Sequence, residues 1–145
     1  MKNLLFLTQT DTTIGFVSTD IKRIDEAKQR LDGKYYIKTL SSLSYLKAYS
    51  RVPNQHKNRI RRAKKTTFIL KNSRSFRVIK DTRHNLLLDR LGLAYSSSAN
   101  KSGEHFDKTY CEMVCDVVVS FPQNFNIEPP SKILRLSHNF IKKIR

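Results

Sequence analysis

Nine consecutive residues, Ser96-Ser97-Ser98-Ala99-Asn100-Lys101-Ser102-Gly103-Glu104, place hydroxyls, an amide, a glycine and a cation directly after an apolar run. Small polar donors at a strand end, with backbone free to approach a ligand, suit an oxyanion or a phosphate. An ordinary serine-rich turn has the same composition. Near the N-terminus, Thr10-Asp11-Thr12-Thr13-Ile14-Gly15-Phe16 offers three hydroxyls and a carboxylate after another apolar run. Such a loop can hold an amino acid's ammonium and hydroxyl groups, although threonines at strand ends equally serve as caps and turn formers. Lys28 and Arg30 lie two apart and share a helix face only if the helix ends there, as Gly33 and Lys34 indicate. From a helix end they could clamp phosphates, lysine as a point charge and arginine through its fork. They could also simply complement the helix dipole in solvent. Arg77 interrupts the strand-like run Phe76-Arg77-Val78-Ile79, so it faces either solvent or a ligand.

Other chemistries fit less well. Ser98, His84 and Asp81 are the types needed for a hydrolase triad, but no nucleophile-elbow pattern surrounds a serine. There is no Walker-type loop and no dinucleotide fingerprint among four scattered glycines. Cys111 and Cys115, with His105, match no standard zinc spacing, and their separation is awkward for a disulfide on one helix. Reduced, partly buried thiols are expected, with no metal held by protein ligands.

The elements that must position these residues can be read from periodicity. Leu4 to Leu7 predicts a buried strand leading into the Thr10–Thr13 loop. Asp20 caps a helix carrying Ile21, Ile24, Ala27 and Leu31, ended by Gly33. Tyr35 to Leu40 is strand-like, and Ser41 or Ser42 then caps a helix with Leu43, Leu46 and Tyr49, closed by Pro53. The basic block His56 to Lys65 follows as a loop or short helix. Thr66–Leu70 and Phe76–Ile79 form a hairpin or near-hairpin around the Lys71–Ser75 turn. Thr82 caps a helix ended by Gly92, and Leu93 to Ser96 enters the serine motif. A helix over Phe106–Val114 feeds a strand from Asp116 to Ser120, and two closing strands meet at His138-Asn139. Alternating strands and helices with intruding hairpins predict an α/β fold: one domain, residues 1–145, with a twisted, open, mixed sheet and helices packed on it.

Charge and composition narrow the function classes. The chain has 28 Lys and Arg against 12 acids, a net charge of +16. Such an excess favours polyanions, whether RNA, DNA or a nucleotide, unless it merely solvates the surface. No apolar run reaches the roughly 20 residues of a membrane span. The opening Met1–Leu7 is too short for a signal peptide and no small-residue cleavage site follows, so a cytoplasmic location is expected.

In order, these segments resemble the YrdC-type threonylcarbamoyl-AMP synthase family. Gln9 to Phe16 is similar to its Pro-Thr-Glu/Asp-Thr-x-Tyr-Gly-Leu loop, Lys28-Gln29-Arg30 to its Lys-x-Arg motif, and Lys34 to the lysine of Lys-Pro-Leu. Thr67 to Leu70 resembles the end of Pro-Gly-Pro-x-Thr-x-Ile-Leu, and Arg77 to Asp81 resembles Arg-x-Pro-Asp. Ser98-Ala99-Asn100-Lys101-Ser102-Gly103 matches Ser-x-Asn-x-Ser-Gly, the most specific segment. Pro130 to Ile133 is similar to Pro-Ser-Thr-Ile, and Ile144-Arg145 to a final Ile-Arg. Ile14 replaces the family tyrosine, Gln9 a proline, Ala63-Lys64-Lys65 the Pro-Gly-Pro turn and Lys132 a threonine.

The resemblance implies an ATP-dependent nucleotidyltransferase that joins L-threonine, bicarbonate and ATP, with magnesium, into threonylcarbamoyl-AMP for tRNA modification. It places Lys28, Arg30, Ser98 and Asn100 at the nucleotide phosphates and carbamoyl group, and Thr10, Thr12, Lys34 and Arg77 at threonine and the acyl-phosphate end. No catalytic residue is assigned. Implied partners are tRNA or other RNA and the proteins of the threonylcarbamoyl-transfer machinery. The alternative is a non-catalytic RNA- or nucleotide-binding member of the same fold; a carbamoyl-handling accessory domain is a third reading.

Overall fold

A computed structural model describes residues 2–31, 33–72, 74–119 and 128–145. They form one nine-stranded mixed sheet in the order β7-β1-β2-β6-β3-β5-β4-β8-β9. The strands are β1 (Phe6–Gln9), β2 (Ile14–Ser18), β3 (Ile37–Leu40), β4 (Thr66–Ile69), β5 (Ser75–Val78), β6 (Leu93–Ser98), β7 (Val117–Val119), β8 (Lys132–Leu136) and β9 (Ile141–Lys143). Pairs β1–β7, β3–β5 and β4–β8 are parallel and the others antiparallel. The mixed α/β sheet expected from the pattern is the sheet observed.

Period-two alternation assigns the faces. Leu5 and Leu7 join Phe16 on one face under α1 (Ile21–Lys28) and α4 (Lys108–Val114), with Ile24, Ala27 and Cys111 completing that layer. Phe6, Val17 and Ala94 point the other way, against Leu88 of α3 (Thr82–Leu91). A third cluster joins β3, β4 and β5 to a 3-10 helix (Leu43–Ala48) and to α2 (Asn54–Arg62) through Leu43, Leu46 and Ile60. Covered on both faces, β2 is buried along its whole length.

Several local readings change. The N-terminal hairpin partner β2 was not anticipated, because Ile14-Gly15-Phe16-Val17 lacks alternation when both faces are buried. The serine run belongs to β6 as far as Ser98 instead of forming a loop from Ser96. Cross-strand bonding to β2 holds it extended, with Ser97 opposite Phe16 and Ser98 opposite Gly15. Helix α1 stops at Lys28, well before Gly33, because Gln29 adopts the left-handed conformation with φ 51°. Leu31 is consequently outside the helix and fully exposed. Asp81, not Thr82, caps α3, its carboxylate accepting from the His84 amide at 2.8 Å and meeting the positive helix end. The basic block resolves into helix α2, anchored by buried Ile60 and His56. Ser120 and Ser73, ends or turns of expected elements, lie outside the described residues.

Gly15 occupies the tightest point of the hairpin. A Cβ there would lie 2.9 Å from Thr10 Cγ2 and 3.0 Å from the Ser97 carbonyl oxygen. The carbonyl belongs to a paired strand and cannot swing aside. Gly15→Ala should therefore destabilise the protein by roughly 1–3 kcal/mol, measured by urea denaturation; an unchanged midpoint would show that β2 and β6 can separate at this point.

Candidate functional site

Lys28 and Arg30 diverge on an ideal helix, yet both reach the same loop. The left-handed turn at Gln29 redirects the chain between them. Lys28 Nζ donates to the Ser98 and Asn100 carbonyls, each at 2.9 Å, and to Asn100 Oδ1 at 3.3 Å. Arg30 Nε donates to Ser102 Oγ at 3.3 Å, and the Ser102 amide donates to the Lys28 carbonyl at 3.0 Å. Asn100 ties the loop further. Its Oδ1 accepts from Ser98 Oγ at 2.6 Å, and its Nδ2 donates to the carbonyls of Lys101 and Glu104.

Lys28 is 1% exposed. Burial, and then repulsion from Arg30, lowers its pKa to about 8. Three oxygen acceptors match its three donors, so the ammonium is spent on holding the loop from beneath.

The second half of the site is built around Arg77, which is 7% exposed. Nη1 donates to Asp11 Oδ1 at 2.8 Å and Thr12 Oγ1 at 3.1 Å, while Nη2 reaches Ser131 Oγ at 2.9 Å and Nε reaches Thr67 Oγ1 at 3.1 Å. The arginine therefore faces the interior polar cluster, not solvent. Thr10 Oγ1 donates to the Thr13 carbonyl at 2.6 Å and accepts the Thr12 amide, closing the β1–β2 turn.

Between the two halves lies a cleft of about 320 Å³. Arg30 and Arg145 supply its positive charge, and Arg77, its charge met by Asp11, lines it beside them. Thr12, Thr13, Ser131 and the serines of β6 supply hydroxyls, and Tyr35 and Tyr36 supply ring faces. Arg30 stacks over Tyr36, 5.6 Å from the ring centroid. The Tyr36 hydroxyl, held at 2.6 Å by Asp25, is pushed up to about 12 by burial and that hydrogen bond.

Of the residues singled out from the sequence, Thr12, Arg30, Arg77 and Ser98 line this cleft. Lys28, Asn100 and Thr10 sit behind it as scaffolding. Lys34 is exposed and does not line it. Sequence reasoning gave no role to Ser131, Thr67 or Arg145, although each lies in a segment already resembling a family motif. A buried arginine needs several acceptors, and that demand was the signal for the two hydroxyls. The triad residues do not assemble: Asp81 is spent on a helix cap, and neither ring nitrogen of buried His84 has a partner among the described residues. Cys111 is buried, its thiol on the Ala99 carbonyl, and both cysteines are free. No cluster of three or more His, Cys, Asp or Glu suits a metal among the described residues. No described helix is long and apolar enough to cross a membrane.

No protein-family model matches the chain, and no curated protein does either. Solved structures do. A double variant of Sua5 from P. abyssi superimposes with a TM-score of 0.79 at 18% identity, covering 98% of this chain and 49% of that one. P. abyssi Sua5 complexed with L-threonine gives a TM-score of 0.75 at 18% identity, over 98% and 50% of the two chains. E. coli YciO gives 0.73 at 20% identity, over 98% and 82%. The chain thus spans about half the length of the Sua5 structures it matches.

Two outcomes follow from the geometry. Arg77→Met leaves the Asp11 carboxylate buried without its cation and should cost roughly 3–5 kcal/mol, read by urea denaturation; a loss under about 1 kcal/mol would mean water reaches Asp11. For Lys28 the folded pKa lies below the unfolded one, so the folded state sheds its proton first and stability is gained as pH rises from about 8 towards the ordinary lysine value. Thermal unfolding between pH 7 and 10 should show wild type gaining on Lys28→Met across that window. Parallel curves would place the Lys28 ammonium in contact with water.

Proposed function

We propose that this chain, which has the fold of the YrdC and Sua5 proteins, joins L-threonine, bicarbonate and ATP into threonylcarbamoyl-AMP, releasing pyrophosphate and water. The observation that carries this reading is the cleft between the β1–β2 turn and the Ser98–Ser102 loop, where three arginines and a bank of hydroxyls converge and, among the described residues, no Asp or Glu side chain is part of the lining. A fold neighbour, Sua5, has been solved with L-threonine. The substrate end that carries a carboxylate and a hydroxyl would sit by Arg77 and Thr12. The triphosphate would lie against Arg30 and Ser98, with Lys28 and Asn100 holding the backbone that presents them. Thr10 would act through the shape of the turn, and Lys34 would meet substrate only by moving towards the cleft.

Little covalent chemistry is asked of the protein. The threonine amine and bicarbonate form a carbamate, whose oxygen attacks the α-phosphorus as the bond to pyrophosphate breaks. Positioning and neutralisation of the phosphates supply the acceleration. Magnesium would arrive with ATP, because the cleft side chains among the described residues offer cations and hydroxyls, not carboxylates. The product's use in tRNA modification, with its protein partners, belongs to the same proposal.

Pyrophosphate release by the purified protein should require ATP, magnesium, threonine and bicarbonate together. Arg30→Ala and Ser98→Ala should each lower it on the order of ten- to a hundredfold while thermal unfolding changes little. ATP binding without threonine-dependent turnover would instead make the chain a nucleotide-binding member of this fold.

A further inference from the structure

A second cleft, of about 510 Å³, opens at the other end of β3 and shares no lining residue with the first. Lys47 of the 3-10 helix, Arg51 beyond it, Lys57 and Arg61 of α2, and Lys80 after β5 stand around it. Buried His56 and Ile60 pin the inner edge of α2, which brings the next residues, Lys57 and Arg61, to the cleft one helical turn apart. Among the described residues no Asp or Glu side chain lines the cleft, and none of the five cations makes an ion pair. Arg61 donates only to the neutral Asn58 amide oxygen, at 3.4 Å. Five like charges around one hollow repel one another, and anionic groups seated among them remove that cost.

The floor is different in kind. Leu43, Leu46, Val52 and Val78, each at most 8% exposed, form an aliphatic base under the cations. Among the described residues the lining holds no aromatic ring and no glycine. A nucleic-acid base stacks on aromatic rings, and a phosphate is cradled by backbone amides that glycine lets come close. Neither device is built here. The cleft offers an aliphatic seat and charges on long stems, set at separate points around it. Charges set apart in this way match carboxylates on neighbouring side chains better than the clustered oxygens of one phosphate.

We propose that this cleft docks an acidic segment of another protein, one apolar side chain seated on the aliphatic floor and the carboxylates that flank it on the surrounding cations. The cations steer the segment in, and desolvation of the apolar anchor holds it. Charge makes the partner a different protein. Two copies of a chain at +16 repel, and Asp25-Glu26 is its one pair of adjacent acids. That pair is already engaged, Asp25 by the Tyr36 hydroxyl and Glu26 by Arg23. The docking site does not depend on the synthase reading.

The test is fluorescence anisotropy with a short labelled peptide, one leucine set among aspartates and glutamates, at about 100 mM salt. Binding should have a Kd on the order of 10–100 μM. Replacing the leucine by serine should weaken it about tenfold, and replacing the acids by their amides should abolish it. The floor is probed from the peptide because substitutions in it would disturb the core. Lys57→Glu/Arg61→Glu is compared with Lys22→Glu/Lys142→Glu, two exposed positions elsewhere; each pair lowers the net charge equally from +16. The cleft pair should weaken peptide binding at least about tenfold, and the control pair no more than about threefold. Lys57→Gln/Arg61→Gln repeats the comparison should the reversal unfold α2. No binding of the leucine peptide up to about 1 mM, equal losses in both charge pairs, or a serine peptide that binds as well as the leucine one would each overturn the proposal. Oligouridylate that binds more tightly than the peptide and loses that grip in the cleft variants would make the occupant a nucleic acid. Dimerisation of the wild type that the cleft variants abolish would make it a second copy; either result also overturns the proposal.

Discussion

A guanidinium buried under a β-sheet must be given acceptors, and much of the molecule is arranged around that need. Arg77 takes Asp11 and Thr12 from the β1–β2 turn, Thr67 from β4 and Ser131 from the approach to β8. Three separate parts of the chain are therefore brought to one cation. An isolated buried charge would cost many kcal/mol, so each acceptor is structurally obligatory whatever else it does. The cleft lies directly beside this cluster and takes its shape from it.

Lys28 plays the same part on the opposite wall. Its three donors end on oxygens of the Ser98–Asn100 segment, and Asn100 in turn closes the loop on Lys101 and Glu104. Arg30, two residues on, is left to stack over Tyr36 and face the cleft. One basic residue is used as a fixed internal tie and the next as an available charge. The left-handed Gln29 separates the two roles. The cleft is thus preorganised by charges that need not touch a ligand.

The sheet also keeps two basic hollows apart. Strand β3 runs from Ile37, beside the serines of β6, to Leu40, next to the hollow under α2. The first hollow is walled by hydrogen-bonded polar groups and suits small polar substrates. The second has an apolar floor, and among the described residues its lysines and arginines make no ion pair. Their different linings explain why a net charge of +16 does not describe one site.

Much was legible in the residues alone. Apolar runs announced β1, β3 to β6 and the closing pair β8–β9. Asp20 announced the start of α1, and the Ser98–Gly103 and Lys28–Arg30 segments announced the loop and its partner. These signals are local: periodicity, capping and motif spacing are properties of neighbouring residues. What the chain did not disclose was pairing across distance. The both-face burial of β2 erased its alternation, and α1 ended at a left-handed Gln29, four residues before the expected Gly33. Whether Arg77 faced outward or inward depended on acceptors from 10 to 66 residues away. Nor could sequence separate Lys28, buried and fully bonded, from Arg30, open to the cleft. Residue type and order determined which elements form and which charges are available; only the folded arrangement decided which charges are consumed within the protein, because desolvation and hydrogen bonding act through space and not along the chain.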